Sequence, residues 1–347
     1  MDANQNDSRQ KFERTRSKIT TIYAADKANS IAMETVETAM KLHQLRCICE
    51  VVDHRLNVTE AAAAMYTSQP GVSKQIRLLE TELGVPIFAR EGKRLTAVTE
   101  PGNEIVRTAR RMLREAENIS RIGADYSDQS RGTLTLATTH TQARYVLPPV
   151  IQKFRQRFPD VTLQLRQGNP TQICDRTLRG EADIVIATEA VSAADGLITL
   201  PCYPWHHCVV VPPDHPLLEK TAPLTLQDLA EHPIVTYDFA FAGRSRLNAA
   251  FQSAGLQPKI VLTALDADVI KTYVELGLGI GLLADVAFET QRDSGLRRID
   301  IAHLFPASTT WVGIRRGSYL RRFIFEFVEL FAPHLSQSTL RAALNVD

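Results

Sequence analysis

From Thr133 to about Leu335, short β-prone runs alternate with helical ones, and this alternation narrows the fold more than any other feature of the chain. LTLATT, VTLQLRQG and ADIVIAT read as strands, separated by the helical stretches VIQKFRQRF and TQICDRTLRG. Residues 206–212, 233–237, 259–264 and 279–284 add β-like runs, interleaved with SRLNAAFQSAG and ADVIKTYVELG. TTWVGIRR and the amphipathic YLRRFIFEFVELFAPHL close the segment. The pattern predicts an α/β domain long enough for two lobes with a cleft between them.

Ahead of this domain the period is helical. MKLHQLRCICEVVD puts Leu42, Leu45, Ile48, Cys49 and Val52 on one helical face. NVTEAAAAMY is a second helix, with Thr59 or Asn57 as N-cap and Ala61, Ala62 and Met65 turned inward. In TSQPGVSKQIRLLETELG, the residues Val72, Ile76, Leu79 and Leu83 form one buried stripe. Thr67 or Ser68 caps that helix, Pro70 fits its first turn and Gly84 ends it. The small side chains of Ala61 to Ala64 let two helices approach closely, which gives a helix-turn-helix.

The face opposite the stripe carries Ser68, Gln69, Pro70, Ser73, Lys74 and Arg77. Hydroxyls and amides suit base edges and phosphates, and cations suit phosphate or guanine. A solvated face in any three-helix domain would show the same residues. GVPIFAREGKRLTAVTEPG then sets Arg90, Lys93 and Arg94 around a glycine-centred turn, a wing able to reach a sugar-phosphate backbone. Next, Thr99 caps a helix with Pro101 in its first turn. Ile105, Ala109, Met112, Ala116 and Ile119 repeat there as a heptad seam, which needs a partner helix from a second chain or from its own domain. Gly123 to Gly132, through ADYSDQSR, reads as a hinge.

The net charge of +1 advertises no nucleic acid, so any basic surface must be local. No apolar run is long enough to span a membrane. The stretch MDANQNDSRQKFERTRSK lacks the apolar core of a signal peptide, so a cytoplasmic protein is expected. Five scattered cysteines argue against a disulfide scaffold. Cys202, His206, His207 and Cys208 concentrate metal-capable atoms, but HHCVVV reads as a strand start, where successive side chains diverge. No metal and no cofactor are expected.

Three strand ends carry neutral polar groups. Thr139, Thr141 and Gln142 follow LTLATT, Thr171 and Gln172 follow VTLQLRQG, and Thr188 ends ADIVIAT. In open α/β sheets ligands settle beyond the carboxyl ends of strands, among helix N-termini with unpaired amides. Such donors suit an oxyanion or carboxylate, although each lone threonine also serves as an ordinary helix cap. Arg144 and Lys271 are the cations nearest in sequence to the cleft edges.

The element TSQPGVSKQIRLLETELG, with a wing, a linker helix and a two-lobed α/β domain, resembles the LysR-type transcriptional regulators from Met40 to about Leu335. The family's recognition pattern stands here as Ser68-Gln69-Pro70-Gly71-Val72-Ser73 with Gln75, Leu79 and Glu80. ATTHTQARY, IATEA, LPCY-W, VTY, GRS and DADVIKTY are similar to the CysB branch, regulators of sulfur assimilation and organic sulfur use. The resemblance implies an α/β effector domain of two lobes, periplasmic-binding-protein-like of type II, behind an N-terminal winged helix-turn-helix and linker helix. It also implies an effector cleft at Thr139, Thr141, Gln142 and Thr188, with Trp205 nearby, that takes sulfate, thiosulfate, an acetylserine or a related anion. Ala242 departs from the branch, which typically has a hydroxyl residue there. Losing one hydrogen bond to an anion costs ~1.5–3 kcal/mol, enough to change which of these effectors is preferred.

The expected map is an extension over 1–39, a DNA-binding domain over 40–99, a dimerising linker over 100–124, and an effector domain over 125–335 with a tail over 336–347. Lobe I would take residues 130–200 and 305–335, and lobe II residues 201–304. The expected partners are double-stranded DNA, the small anionic effector and further copies of the chain in a homodimer or homotetramer, with RNA polymerase as an additional candidate. A sulfonate- or sulfate-ester-responsive regulator is the nearest alternative. A solute-binding protein would share the two-lobed fold but not the helix-turn-helix. An enzyme is not expected: G-x-S-x-G, H-E-x-x-H and a phosphate-binding glycine-lysine loop are all absent from the sequence, and His140 has no nucleophile beside it.

Overall fold

A computed structural model describes residues 40–344, apart from 93, 189–190, 193 and 239–241, and the backbone alone at 242–245. The expected 1–39 extension and the final three residues therefore lie outside the described residues. The chain divides into two compact units, Met1–Ala116 and Glu117–Asp347. Among the described residues no helix is long and apolar enough to cross a membrane.

In the first unit, α1 (Leu42–Asp53), α2 (Val58–Ala64) and α3 (Gln69–Leu83) enclose Leu45, Ile48, Ala61, Val72, Ile76 and Leu79. Asn57 is the N-cap of α2, its side chain accepting from the amides of Thr59 and Glu60. Ser68 caps α3, and Gly84 closes it in the left-handed region at φ 69°. The expected stripes fray at their ends: Leu42 and Leu83 are exposed. An antiparallel hairpin follows, β1 (Phe88–Glu91) and β2 (Arg94–Val98). Helix α4 (Glu100–Ser127) starts at Thr99, whose hydroxyl accepts from the Gly102 amide at 3.0 Å. Gly102 is required there, because a Cβ would lie 2.1 Å from the Ile87 carbonyl oxygen.

The seam on α4 divides in two. Ile105, Val106, Ala109 and Leu113 pack on the helix-turn-helix core. Met112 and Ile119 instead stay 40% and 71% exposed. The expected hinge is also displaced, since α4 runs helical through Gly123 to Ser127. Side chains on both sides of that glycine hold it. Arg121 pairs with Asp183 at 2.8 Å, and Asp125 accepts from the Tyr319 hydroxyl at 2.9 Å.

The second unit holds two five-stranded mixed sheets. Lobe I contains β3 (Gly132–Thr138), β4 (Val161–Gln167), β5 (Ile184–Ala187), β6 (Leu197–Trp205) and β12 (Ser308–Arg315), in the order β4-β3-β5-β12-β6. Lobe II contains β7 (His207–Val211), β8 (Ile234–Tyr237), β9 (Ile260–Ala264), β10 (Ile280–Ala284) and β11 (Arg297–Asp300), in the order β11-β7-β10-β8-β9. Helices cover the faces. α5 (Leu147–Arg157) and α10 (Arg322–Phe331) lie over Leu134, Leu136, Ile184 and Ile186, while α6 (Pro170–Leu178) covers Ala137, Val185 and Ala187. In lobe II, alternate residues of β7 divide between the core that holds α8 (Ala242–Ser253) and the core that holds α9 (Ala267–Glu275). A short α7 (Leu226–Ala230) adds Leu229 to the former.

Three expectations are corrected here. The boundary between lobes at 201 falls inside β6, which pairs with β12, so the chain first crosses between sheets at His206. Pro201 and Pro204 disguise that strand. They are tolerated because β6 is an edge strand with a register shift opposite Thr310 and Trp311. The expected tail contains α11 (Gln337–Leu344), which buries Leu340 fully in the lobe I core. Finally, β11 was not anticipated, because Arg297-Arg298-Ile299-Asp300 carries too few apolar residues for a strand signal.

Candidate functional site

The first site lies on α3. Ser68 is partly engaged as the cap, its Oγ accepting from the Gly71 amide at 3.3 Å. Gln69 Nε2 donates to Ser73 Oγ at 3.1 Å, so the two side chains hold each other on the outer face. Gln69, Pro70, Ser73, Lys74, Arg77 and Arg90 line one concave surface. Arg90 is anchored rather than loose: its Nη2 donates to Glu80 Oε2 at 2.6 Å. Lys93 lies outside the described residues.

The second site lies between the lobes, at the carboxyl ends of β3, β5, β6, β8 and β10. Thr139, Thr141, Gln142, Thr188 and Trp205 line it together with Tyr237, Ala284 and Val286, around about 440 Å3 of space including its mouth. Among the described residues, no carboxylate, lysine or arginine lines it. Five of the seven expected effector residues therefore meet in one cleft. Thr171 does not: it is exposed in the first turn of α6 and does not line the cleft. Ala242 opens α8, and its side chain lies outside the described residues.

The chain enters helix directly after β3, at His140, so the first-turn amides have no intrahelical acceptors and face the strand ends. One turn, Gln142–Val146, is π-helical, a local widening common at functional sites. Gln142 is held from two sides. Tyr203 donates to its Oε1 at 2.6 Å, and its Nε2 donates to Thr310 Oγ1 at 3.4 Å. That amide has two hydrogens and the network uses one, which leaves a directed donor for a ligand. Burial pushes the Tyr203 and Tyr237 phenols up to about 12, so both remain donors at neutral pH. Tyr237 hydrogen-bonds Thr141. Trp205 Nε1 is buried without an acceptor among the described residues.

Tyr203, Tyr237 and Thr310 were missed from sequence. Tyr237 was within reach, since it ends the 233–237 run as Thr188 ends another. Tyr203 and Thr310 were not, because their roles depend on the unanticipated β6. The metal-capable group is dispersed: Cys202 lies in lobe I and Cys208 in lobe II, and burial raises both thiols to about 12.

Residues 42–103 match the bacterial regulatory helix-turn-helix protein of the lysR family, and residues 127–336 match the LysR substrate binding domain. The chain belongs to the LysR family. Over 305 residues this LysR-family chain is 54% identical to the HTH-type transcriptional regulator CysB of Burkholderia cenocepacia, covering 88% of this chain and 97% of that protein. The regulator SsuR of the same organism is 53% identical over 305 residues, with coverages of 88% and 99%. Among solved structures, the cofactor-binding domain of the Cbl transcriptional regulator is 47% identical. It covers 63% of this chain and 95% of its own length, with a TM-score of 0.61. Like its relatives, this LysR-family chain is a DNA-binding transcriptional regulator.

Proposed function

We propose that this regulator senses a small anion or metabolite related to sulfur supply in the cleft between its lobes and controls genes of sulfur assimilation. One observation carries the reading: donors from four strand ends converge on a space that, among the described residues, no acid lines. A tetrahedral oxyanion loses many water hydrogen bonds on entering a protein, and a shell of hydroxyl, amide and indole donors replaces them. Sulfate and thiosulfate satisfy that chemistry, and the acetylserines offer a carboxylate to the same donors. Thr139, Thr141, Gln142, Thr188 and Trp205 would hold the ligand, with Tyr237 from lobe II.

Ser68, Gln69, Pro70, Ser73, Lys74 and Arg77 would meet DNA. The uncovered residues Met112 and Ile119 on α4 would join two chains, presenting two recognition helices to half-sites. Ligand binding would then bias one lobe orientation, by no more than its differential affinity for the two states.

A sulfonate-responsive regulator is the second reading. Ala242 favours it, and the near-equal identity to SsuR and CysB does not choose between the two readings. Deleting the gene and comparing transcripts in sulfate-fed and sulfonate-fed cells tests both. Loss of sulfur-source-dependent transcription is expected, and loss confined to sulfonate-fed cells selects the second reading. Unchanged transcripts under both conditions would overturn the sulfur assignment.

A further inference from the structure

Tyr145 belongs to lobe I but packs on lobe II. It sits in the π-helical turn that begins at Gln142, and its ring lies against the cluster of Cys208, Val210, Tyr237, Ala267 and Ile270. Its hydroxyl donates to Asp268 Oδ1 and accepts from Lys271 Nζ at 2.8 Å, both on α9. Two more groups from the same stretch approach that carboxylate: Arg144 Nε and His140 Nε2 lie 3.5 and 3.7 Å from Asp268 Oδ2.

Lys271 explains why the contact matters. It is only 6% exposed, and a buried ammonium is tolerated only when its charge and its N–H groups are paired. An ammonium has three hydrogens. Asp293 takes one at 2.8 Å and the Ala287 carbonyl another at 3.0 Å, both within lobe II. The Tyr145 hydroxyl is the acceptor supplied by lobe I. Asp268 Oδ1 lies 3.3 Å from the same ammonium but also accepts from the Tyr145 hydroxyl, while the other oxygen of that carboxylate faces Arg144 and His140. Parting the lobes therefore strips a hydrogen bond from a buried cation and also withdraws an aromatic ring from an apolar socket.

We propose that Tyr145 is a positioning residue for the effector cleft. By fastening the turn that carries Thr141 and Gln142 onto α9, it sets the lobe angle at which donors from both lobes converge, and it ties that angle to occupancy of the cleft. Tyr145 does not line the cleft itself, so it acts through Gln142 and Thr141. The ligand half of this proposal rests on the effector reading above; the clasp half does not.

The test uses the full chain carrying Tyr145→Phe, which keeps the ring, or Asp268→Asn, which keeps the shape. Hydrogen exchange without ligand is followed in peptides spanning 140–147 and 266–272. Each variant should speed exchange in both segments about tenfold, with the double variant little worse than either single one. Exchange that is unchanged, or raised only in the substituted segment, would overturn the clasp. Titration with sulfate and thiosulfate tests the other half, where Tyr145→Phe should weaken whichever anion binds by about tenfold. Undiminished affinity with faster exchange would overturn the coupling. If neither anion binds the unaltered chain, sulfate and thiosulfate fail as ligands, while the exchange result still decides the clasp.

Discussion

Glu80 and Arg90 form an ion pair of 2.6 Å that ties the recognition helix to the first strand of the wing. The other oxygen of Glu80 accepts from the amides of Ile87 and Phe88 at 3.0 and 3.1 Å. One carboxylate thus fixes the angle between helix and wing. Glu80→Ala should cost about 1–3 kcal/mol, because it leaves two backbone donors unpaired. Arg90→Ala should cost no more than about 1 kcal/mol, as for a partly exposed pair. Urea denaturation of the two variants checks the ranking.

Lys74 and Ser73 separate the two components of DNA binding. Lys74→Ala should reduce the slope of log affinity against log salt by ~0.9, because one phosphate contact is lost. Ser73→Ala should lower affinity and leave the slope alone. Fluorescence anisotropy across a salt series measures both.

Thr141→Val keeps the size of the side chain and removes its hydroxyl. Affinity for the effector should fall by roughly tenfold or more, matching a hydrogen bond of ~1.5–3 kcal/mol to an anion, while DNA affinity without effector stays unchanged. Calorimetry and anisotropy together check the two halves.

His207 gives the effector domain an acid sensitivity. It is 3% exposed at the crossing between lobes, and burial, with Arg246 and His206 nearby, holds it down at about 4 from an ordinary 6.5. Between those pH values the unfolded chain binds the proton and the folded chain does not. Stability should therefore be flat above about pH 6.5 and decline by up to ~1.4 kcal/mol per pH unit as pH falls towards 4. His207→Gln should flatten that decline. Denaturation midpoints over this pH range provide the readout.

Leu340 tests the status of the C-terminal helix. Leu340→Ala should destabilise lobe I by about 2–5 kcal/mol, as for a leucine removed from a packed core. A free tail would tolerate it without effect.

Much of this architecture was legible because its signals are local. Val72, Ile76 and Leu79 announce α3 by spacing, Ser68 and Gly84 by capping, and Thr139 to Gln142 announce a site by following a strand. What stayed hidden is non-local. Pro201 and Pro204 look like breaks until β12 supplies the neighbour that makes β6 an edge strand. Tyr203 and Thr310 reach Gln142 only once β6 and β12 are side by side. The same limit applies to Thr171. Its position after β4 resembles that of Thr139 after β3, but β4 is the outer strand of its sheet, which leaves Thr171 away from the cleft. Position after a strand fixes which end of the sheet a residue occupies, and strand order decides whether it reaches the site.

Isothermal titration of the full chain with sulfate, thiosulfate, O-acetylserine and N-acetylserine tests the central claim most directly. The account predicts saturable binding of at least one of them, abolished by Gln142→Leu and unaffected by Lys74→Ala. Failure of all four to bind, or binding indifferent to Gln142, would contradict a cleft that senses sulfate, thiosulfate or an acetylserine through Gln142.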